Sequence, residues 1–160
     1  ARRAGVSRMT VYRRYPDGDT LIREVMAREF GAVFEQAVEA TADAGNPRER
    51  LVAEIAWGID HMLVHPVLRR LLEIDAEILL PYYTDHRGRF QELIVARMAE
   101  VIAEGQRSGD IRDGDPSRMA QTLELALRGV VLGARMFDDE AERRRVVADV
   151  TELVARYLAP

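Results

Sequence analysis

The sequence has 160 residues, of which 48% are hydrophobic, and it carries 23 basic and 27 acidic side chains. This length and apolar content suit one sizeable globular domain or two small ones. The chain contains no cysteine, which excludes disulfides and thiolate metal sites, and its longest apolar runs are too short to span a bilayer. We expect a cytoplasmic protein without membrane association.

Basic charge is concentrated at the N-terminus. Residues 1–15 contain five arginines and no acidic residue, so the remainder of the chain is strongly acidic. Such an asymmetry is typical of a head that binds a polyanion, attached to a solvated body. Every basic residue is arginine rather than lysine. Arginine suits forked contacts with phosphate or guanine, although biased genomic composition explains the choice equally well.

The spacing of small and apolar residues in this segment predicts a helix-turn-helix. Ala1 is a small side chain where two helices would touch, Gly5 can take positive φ in the turn, and Val11 would lie on the inner face of the second helix. Ser7 is placed to N-cap that second helix, which we expect to run from about Arg8 to Arg14.

The outer face of this second helix carries the candidate DNA contacts. An arginine at the helix start can reach base edges in the major groove, while nearby hydroxyl and guanidinium groups can bind phosphates. The candidates are Arg8, Met9, Thr10, Tyr12, Arg13 and Arg14. A solvated basic helix at a frayed terminus is the alternative that charge alone favours.

The run ARRAGVSRMTVYRRYPDGDTLIREVM resembles the DNA-binding signature of the TetR family of bacterial repressors, A-x-x-A-G-V-S-x-x-T-L/V-Y-x-H/R-F/Y-P-x-K-x-x-L, and follows it over residues 1–21. The resemblance implies a three-helix DNA-binding head and an all-helical body for ligand binding and dimerisation. It also implies base contacts by Arg8, Met9 and Tyr12, and phosphate contacts by Thr10, Tyr12 and Arg14.

The chain departs from the family pattern at two points. Gly18 stands where the family commonly has a lysine that binds a phosphate. The family's first helix and the start of its second would precede Ala1, so we expect upstream residues to be missing and DNA binding by the chain as given to be weak. We divide the chain into a partial helix-turn-helix with the start of a joining helix, residues 1–30, and a C-terminal ligand-binding and dimerisation domain, residues 31–160.

From Asp17 onward, apolar residues recur at intervals of three and four, which predicts an all-α fold. A long joining helix is expected after Pro16. Further helices are expected over about 48–64, 67–80, 86–106, 116–137 and 140–158. Pro66 ends the first of these because the residue before a proline avoids helical geometry.

The last two predicted helices have broad apolar faces that include small residues. An intramolecular core uses the same pattern. The TetR resemblance favours a homodimer, in which these helices form a four-helix bundle across a two-fold axis and set two recognition helices about 34–36 Å apart on a palindrome. The predicted interface residues are Leu123, Leu127, Val130, Ala134, Val147, Val150 and Val154.

Aromatic and methionine side chains at helical spacing are typical of an adaptable apolar cavity. An inward-facing Asp75 or His61 would orient a ligand there. Core packing is the alternative for each residue. The candidate ligand-binding residues are Trp57, His61, Met62, Asp75, Tyr82, Tyr83, Phe90 and Met98.

Signals for catalysis are weak. His61 and His65 have the spacing of a helical zinc pair, but Met62 stands where a catalytic glutamate would follow, and no third ligand is evident. Neither a nucleophile elbow nor a phosphate loop is present. We expect no metal, no cofactor and no enzymatic activity.

The sequence therefore predicts a ligand-responsive transcription regulator. It would repress as a homodimer on a double-stranded DNA operator and be released by a small, largely apolar inducer. One alternative is a helical ligand-binding or scaffolding module whose degenerate head does not bind DNA. The other is an enzyme that uses His61, His65 and Asp75.

Overall fold

The structure, a computed structural model, describes residues 5, 7, 9, 13–15, 17–74, 88–137 and 139–160 of the chain. From Asp17 onward the described residues form six α-helices and one 3₁₀-helix, and Met9, Arg13 and Arg14 before them are also helical. None of the described residues is in a β-strand, so the all-α prediction is confirmed. In chain order the helices are α1 (Gly18–Ala40), α2 (Pro47–Val64), α3 (Pro66–Ile74), α4 (Arg89–Ser108), α5 (Pro116–Leu132), the 3₁₀-helix Gly133–Met136, and α6 (Glu140–Leu158).

Side-chain caps set where the first two helices begin. At the start of α1, the Oδ1 atom of Asp17 accepts a hydrogen bond from the backbone N–H of Thr20 at 2.6 Å. At the start of α2, Asn46 accepts from the N–H of Glu49 at 3.0 Å, and the carboxylate of Glu49 accepts from the N–H of Asn46 at 3.2 Å. These bonds satisfy N–H groups that have no partner within the helix.

Helix α3 can be compared with its predicted range only at its start, Pro66, whereas both ends of α4 are described. The described part of α3 ends at Ile74, and the rest of its predicted range lies outside the described residues. Helix α4 begins at Arg89, later than predicted, because Gly88 has an extended backbone with ψ 162°. An extended residue cannot contribute to the helical turn, so the capping position falls at Gly88.

Helix α5 is shorter than predicted, whereas α6 has both predicted ends. The α-helical geometry of α5 ends at Leu132 and tightens to a 3₁₀-helix through Met136, instead of continuing to Phe137. Gly129 and Gly133 lie in the last turns, where glycine weakens the α-helix by about 1 kcal/mol per residue. A 3₁₀ turn is a common ending for such a helix.

Helix α2 lies at the centre of the bundle and contacts α1, α3, α4, α5 and α6. Its buried face repeats every four residues through Leu51, Ile55, Ile59 and Leu63. Helix α5 packs mainly against α4, whereas α6 packs mainly against α2. One hydrophobic core therefore forms around α2 and draws residues from helices far apart in the sequence.

We expect the carboxyl group of Asp17 to titrate below pH 3.8. Hydrogen bonds from the backbone and the hydroxyl of Thr20, with a smaller contribution from the charge of Arg23, lower its pKa from that value. The stabilising effect of the cap is therefore fully present above pH 3.8 and is lost as the pH falls through the lowered pKa. NMR titration of the side-chain carboxyl carbon measures this midpoint, and Asp17→Asn assigns the signal. A midpoint at or above 3.8 contradicts the prediction.

Candidate functional site

Gly5 lies in a turn, as the sequence predicts. Its φ is +64°, the positive value predicted for it. Met9, Arg13 and Arg14 are helical, and the side chain of Met9 is 78% exposed. Both arginines are also exposed. The remaining predicted contacts, together with two of the residues that define the helix crossing, lie outside the described residues: Arg8, Thr10, Tyr12, Ala1 and Val11.

An aromatic contact holds one of these arginines. The guanidinium carbon of Arg14 lies 5.8 Å from the ring centroid of Tyr15, which is half-buried. This is the distance of a cation–π contact, which favours one orientation of an exposed guanidinium while leaving its N–H groups available.

Helix α1 joins this basic segment to the interior of the bundle. It begins four residues after Arg14 and has 23 residues, which corresponds to a length of about 34 Å. Its inner face, from Met26 to Ala37, forms one wall of a cavity. Helix α1 therefore extends from the residues next to the basic segment to the wall of the cavity.

The cavity has a volume of about 150 Å³ and lies between α1, α2, α4 and α5. Most of its wall is apolar, which favours the burial of hydrocarbon surface. The apolar residues that line it are Met26, Phe30, Val33, Phe34, Ala37, Leu51, Ile55, Ile59, Met62, Phe90, Ile94, Met98, Leu127 and Val131.

Two arginine–glutamate pairs form most of the polar part of the cavity wall. Nη2 of Arg97 lies 2.9 Å from Oε1 of Glu54, whose side chain is 6% exposed. Arg128 holds Glu124 in a fork, with Nε donating at 2.9 Å and Nη2 donating at 2.6 Å to the two carboxylate oxygens. Pairing lets these charges lie next to an apolar cavity, because an isolated buried charge is strongly unfavourable.

Three of the predicted ligand-binding residues, Met62, Phe90 and Met98, line the cavity. Trp57 and His61 are not among the lining residues. Their rings stack on each other with centroids 3.5 Å apart, and Nδ1 of His61 lies 2.8 Å from the backbone oxygen of Trp57. The other predicted ligand-binding residues lie outside the described part of the chain: Asp75, Tyr82 and Tyr83.

Sequence reasoning missed the charged residues of the cavity wall. A charged residue at a position where the helical periodicity predicts an apolar side chain could have indicated them. Glu54, next to Ile55, and Glu124, next to Leu123, are such residues. Arg97 and Glu54 are 43 residues apart, so no local pattern links them.

The predicted interface residues lie mainly in the core of the single-chain bundle. Leu123, Leu127, Ala134 and Val154 are at most 8% exposed and belong to the hydrophobic core. The other three, Val130, Val147 and Val150, are half-buried and pack against it. The large apolar side chains that α5, the 3₁₀-helix and α6 leave exposed are Leu125, Leu132, Met136 and Leu153.

The predicted histidine pair does not belong to a metal-binding cluster within the described residues, where no group of three or more suitable side chains comes together. The ring of His65 contacts that of Phe30 edge-on, with centroids 5.5 Å apart. No single helix of the described chain has the length and apolar character to cross a membrane; α2 and α3 reach that threshold only as a pair bent by 52°.

A basic segment that contains a turn is thus followed by one long helix, and this helix lines an apolar cavity within an all-helical bundle. Two mycobacterial proteins are similar to this chain over 99% of its length and 80% of their own. They are the uncharacterized HTH-type transcriptional regulators Mb2274c of Mycobacterium bovis, 30% identical, and Rv2250c of Mycobacterium tuberculosis, 29% identical.

The chain is also similar to the solved structure of a protein with unknown function from Rhodococcus sp. RHA1, with a TM-score of 0.66 and 25% sequence identity. The match covers 100% of this chain and 82% of the Rhodococcus chain. No protein-family model matches the chain. The chain belongs to the HTH-type transcriptional regulators, because it is 30% identical to Mb2274c and covers 80% of that protein.

Proposed function

We propose that the protein is a TetR-type, ligand-responsive repressor that binds a palindromic DNA operator as a homodimer in the cytoplasm. Residues 1–30 contribute to the DNA-binding head, and residues 31–160 bind a small, largely apolar inducer and dimerise. The observation that carries the proposal is the continuity of α1, which adjoins the basic segment at one end and lines the cavity along its inner face. Neither DNA binding nor inducer binding requires catalysis.

The head is proposed to contact bases through Arg8, Met9 and Tyr12, and phosphates through Thr10, Tyr12 and Arg14, with Arg13 on the same outer face. Exposure of Met9, Arg13 and Arg14 supports this assignment, because groups that contact DNA must be accessible in the free protein.

The dimer interface is proposed to form on α5 and α6. Leu125 and Leu132 are seven residues apart on α5, which places them on one face, and Met136 in the 3₁₀-helix and Leu153 in α6 are further exposed apolar side chains. The interface residues that the sequence predicts, such as Leu123 and Val154, would support this face from within the protomer.

Release from DNA is proposed to follow from movement of α1. Phe30 of α1 lines the cavity, and its ring lies 6.0 Å from that of Phe90 in α4 and 5.5 Å from that of His65. A molecule bound in the cavity would contact this aromatic cluster and favour one packing of it, which would change the tilt of α1 and the separation of the two heads. Couplings of this kind are typically about 1–3 kcal/mol.

Titration of DNA with the full-length gene product at several salt concentrations tests the proposal. We expect Arg8→Ala and Tyr12→Ala to weaken palindromic operator binding by about 1–3 kcal/mol while changing non-specific binding less. Arg14→Ala should weaken both and lower the salt slope by about 0.9, the value for one phosphate contact. Arg156→Ala, which removes an exposed arginine from α6, is the matched control. Weak binding without preference for a palindrome would contradict the proposal.

That last result would instead favour a helical ligand-binding or scaffolding module. The observation behind this second candidate is Gly18, the first residue of α1, at the position where the TetR signature has a phosphate-binding lysine. Operator binding by the full-length gene product excludes this candidate.

A further inference from the structure

The polar groups of the cavity wall restrict what the cavity can hold. From them we infer that the cavity binds an uncharged, largely apolar molecule with one hydrogen-bond acceptor, such as a small ketone, whose oxygen accepts a hydrogen bond from Arg97. This inference rests on the proposed function, since it specifies the chemical class of the inducer.

The volume sets the size of the molecule. A cavity of about 150 Å³ is comparable to an engineered protein cavity of roughly that volume, which binds benzene. A single ring with a short substituent, with about nine non-hydrogen atoms, therefore suits the space.

The charge of the wall favours an uncharged molecule. The two arginines and two glutamates that line the cavity balance each other, and each arginine hydrogen-bonds a glutamate. A carboxylate or an amine would add a charge without a counterion to an apolar space, and this is strongly unfavourable. Such a molecule would have to break one of the existing pairs in order to be compensated.

The hydrogen bonds of the wall favour an acceptor. Nε of Arg97 is buried and has no hydrogen-bond partner, and Arg97 is the only described residue lining the cavity that has such an atom. Arg97 donates to Glu54 through Nη2 at 2.9 Å, so a molecule that brings an acceptor to Nε need not break this pair. A hydrocarbon would leave this donor unpaired, whereas a carbonyl oxygen pairs it.

Three probes of matched size separate these possibilities. Acetophenone, cumene and benzoate each have about nine non-hydrogen atoms and differ in acceptor and charge. Binding to the full-length protein without DNA is followed by NMR of the methyl groups of Met62 and Met98, which line the cavity. We expect acetophenone to bind at least tenfold more tightly than cumene or benzoate.

A pair of double variants tests the role of Arg97. Glu54→Met with Arg97→Met removes one positive and one negative charge together and leaves no hydrogen-bond donor at either position, and we expect it to abolish the preference for acetophenone over cumene. Arg50→Met with Glu104→Met is the matched control. It removes another ion pair between α2 and α4, with a 2.6 Å contact and an Arg50 Nε that also lacks a partner, but neither residue lines the cavity. We expect this control to keep the preference.

A second pair of variants tests the location. A Cβ atom built on Gly58, which lines the cavity, meets no atom within 4 Å, so Gly58→Leu should fill the space and abolish binding of all three probes. Gly31→Leu is the control, since Gly31 also has open space at this position but does not line the cavity. Thermal unfolding verifies that each variant is folded.

The outcomes distinguish this inference from the proposed function. Equal affinity for the three probes, tighter binding of benzoate, or a preference that survives Arg97→Met with Glu54→Met would overturn the inference while leaving operator binding intact. Selective acetophenone binding by a protein that has no operator preference would support the inference on the cavity and contradict the regulatory proposal.

Discussion

Replacing Leu123 with alanine is expected to lower the free energy of unfolding by about 2–5 kcal/mol, whereas Leu125→Ala on the same helix should change it by less than about 0.5 kcal/mol within the protomer. Leu123 is 2% exposed and Leu125 is 55% exposed. Truncation of the buried side chain leaves a cavity in the core, and truncation of the exposed one does not.

Dimerisation should be weakened more by Leu125→Ala than by Leu123→Ala, the reverse of their effects on the free energy of unfolding. Leu125→Ala is expected to raise the dimer dissociation constant by about tenfold, since a two-fold interface loses the side chain from both subunits. Urea unfolding at a protein concentration well below the dimer dissociation constant gives the first quantity, because the stability of a dimer includes its association free energy and depends on concentration. Analytical ultracentrifugation gives the second. Unchanged dimerisation in Leu125→Ala would contradict the proposed interface.

The single variant Arg97→Met is expected to cost about 3 kcal/mol of stability, at the low end of the range for breaking a buried pair because Arg97 is 29% exposed. Its loss leaves the carboxylate of Glu54, which is 6% exposed, without the guanidinium that compensates it. The expected cost therefore comes from an uncompensated charge rather than from lost packing.

Adding Glu54→Gln should restore much of this stability, since the amide has no charge to compensate. Urea unfolding of the two single variants and the double variant forms a double-mutant cycle. The matched cycle on Arg50 and Glu104 should give a smaller coupling, because Glu104 is 47% exposed and water can solvate it. Equal couplings in the two cycles would show that burial of Glu54 has no energetic consequence.

Local signals in the sequence predicted most helix boundaries. Helix α6 runs over Glu140–Leu158, as predicted, and α2 begins within one residue of its predicted start, where Asn46 and Glu49 form a reciprocal cap. Such signals act within one turn of the chain, so they can be recognised without the tertiary structure. Prediction was less accurate at the end of α5, where two glycines weaken the helix and packing selects a 3₁₀ turn.

The candidate sites were predicted only in part. Apolar residues at helical spacing face inward, and this pattern predicts Met62, Phe90 and Met98 as ligand-binding residues. All three line the cavity. Trp57 and His61 share that spacing but stack on each other away from the cavity wall. Periodicity specifies the face of a helix, and it does not specify which part of the interior that face meets.

The sequence by itself determined the all-helical class, the buried face of each helix and the basic character of the N-terminal segment, because these depend on residues within a few turns of one another. Only the tertiary structure decided which helix covers each apolar face, and so placed Leu123 and Val154 inside one protomer. It also decided that Glu54 and Arg97 meet beside a cavity. Such contacts form between distant segments, through packing that no local pattern encodes.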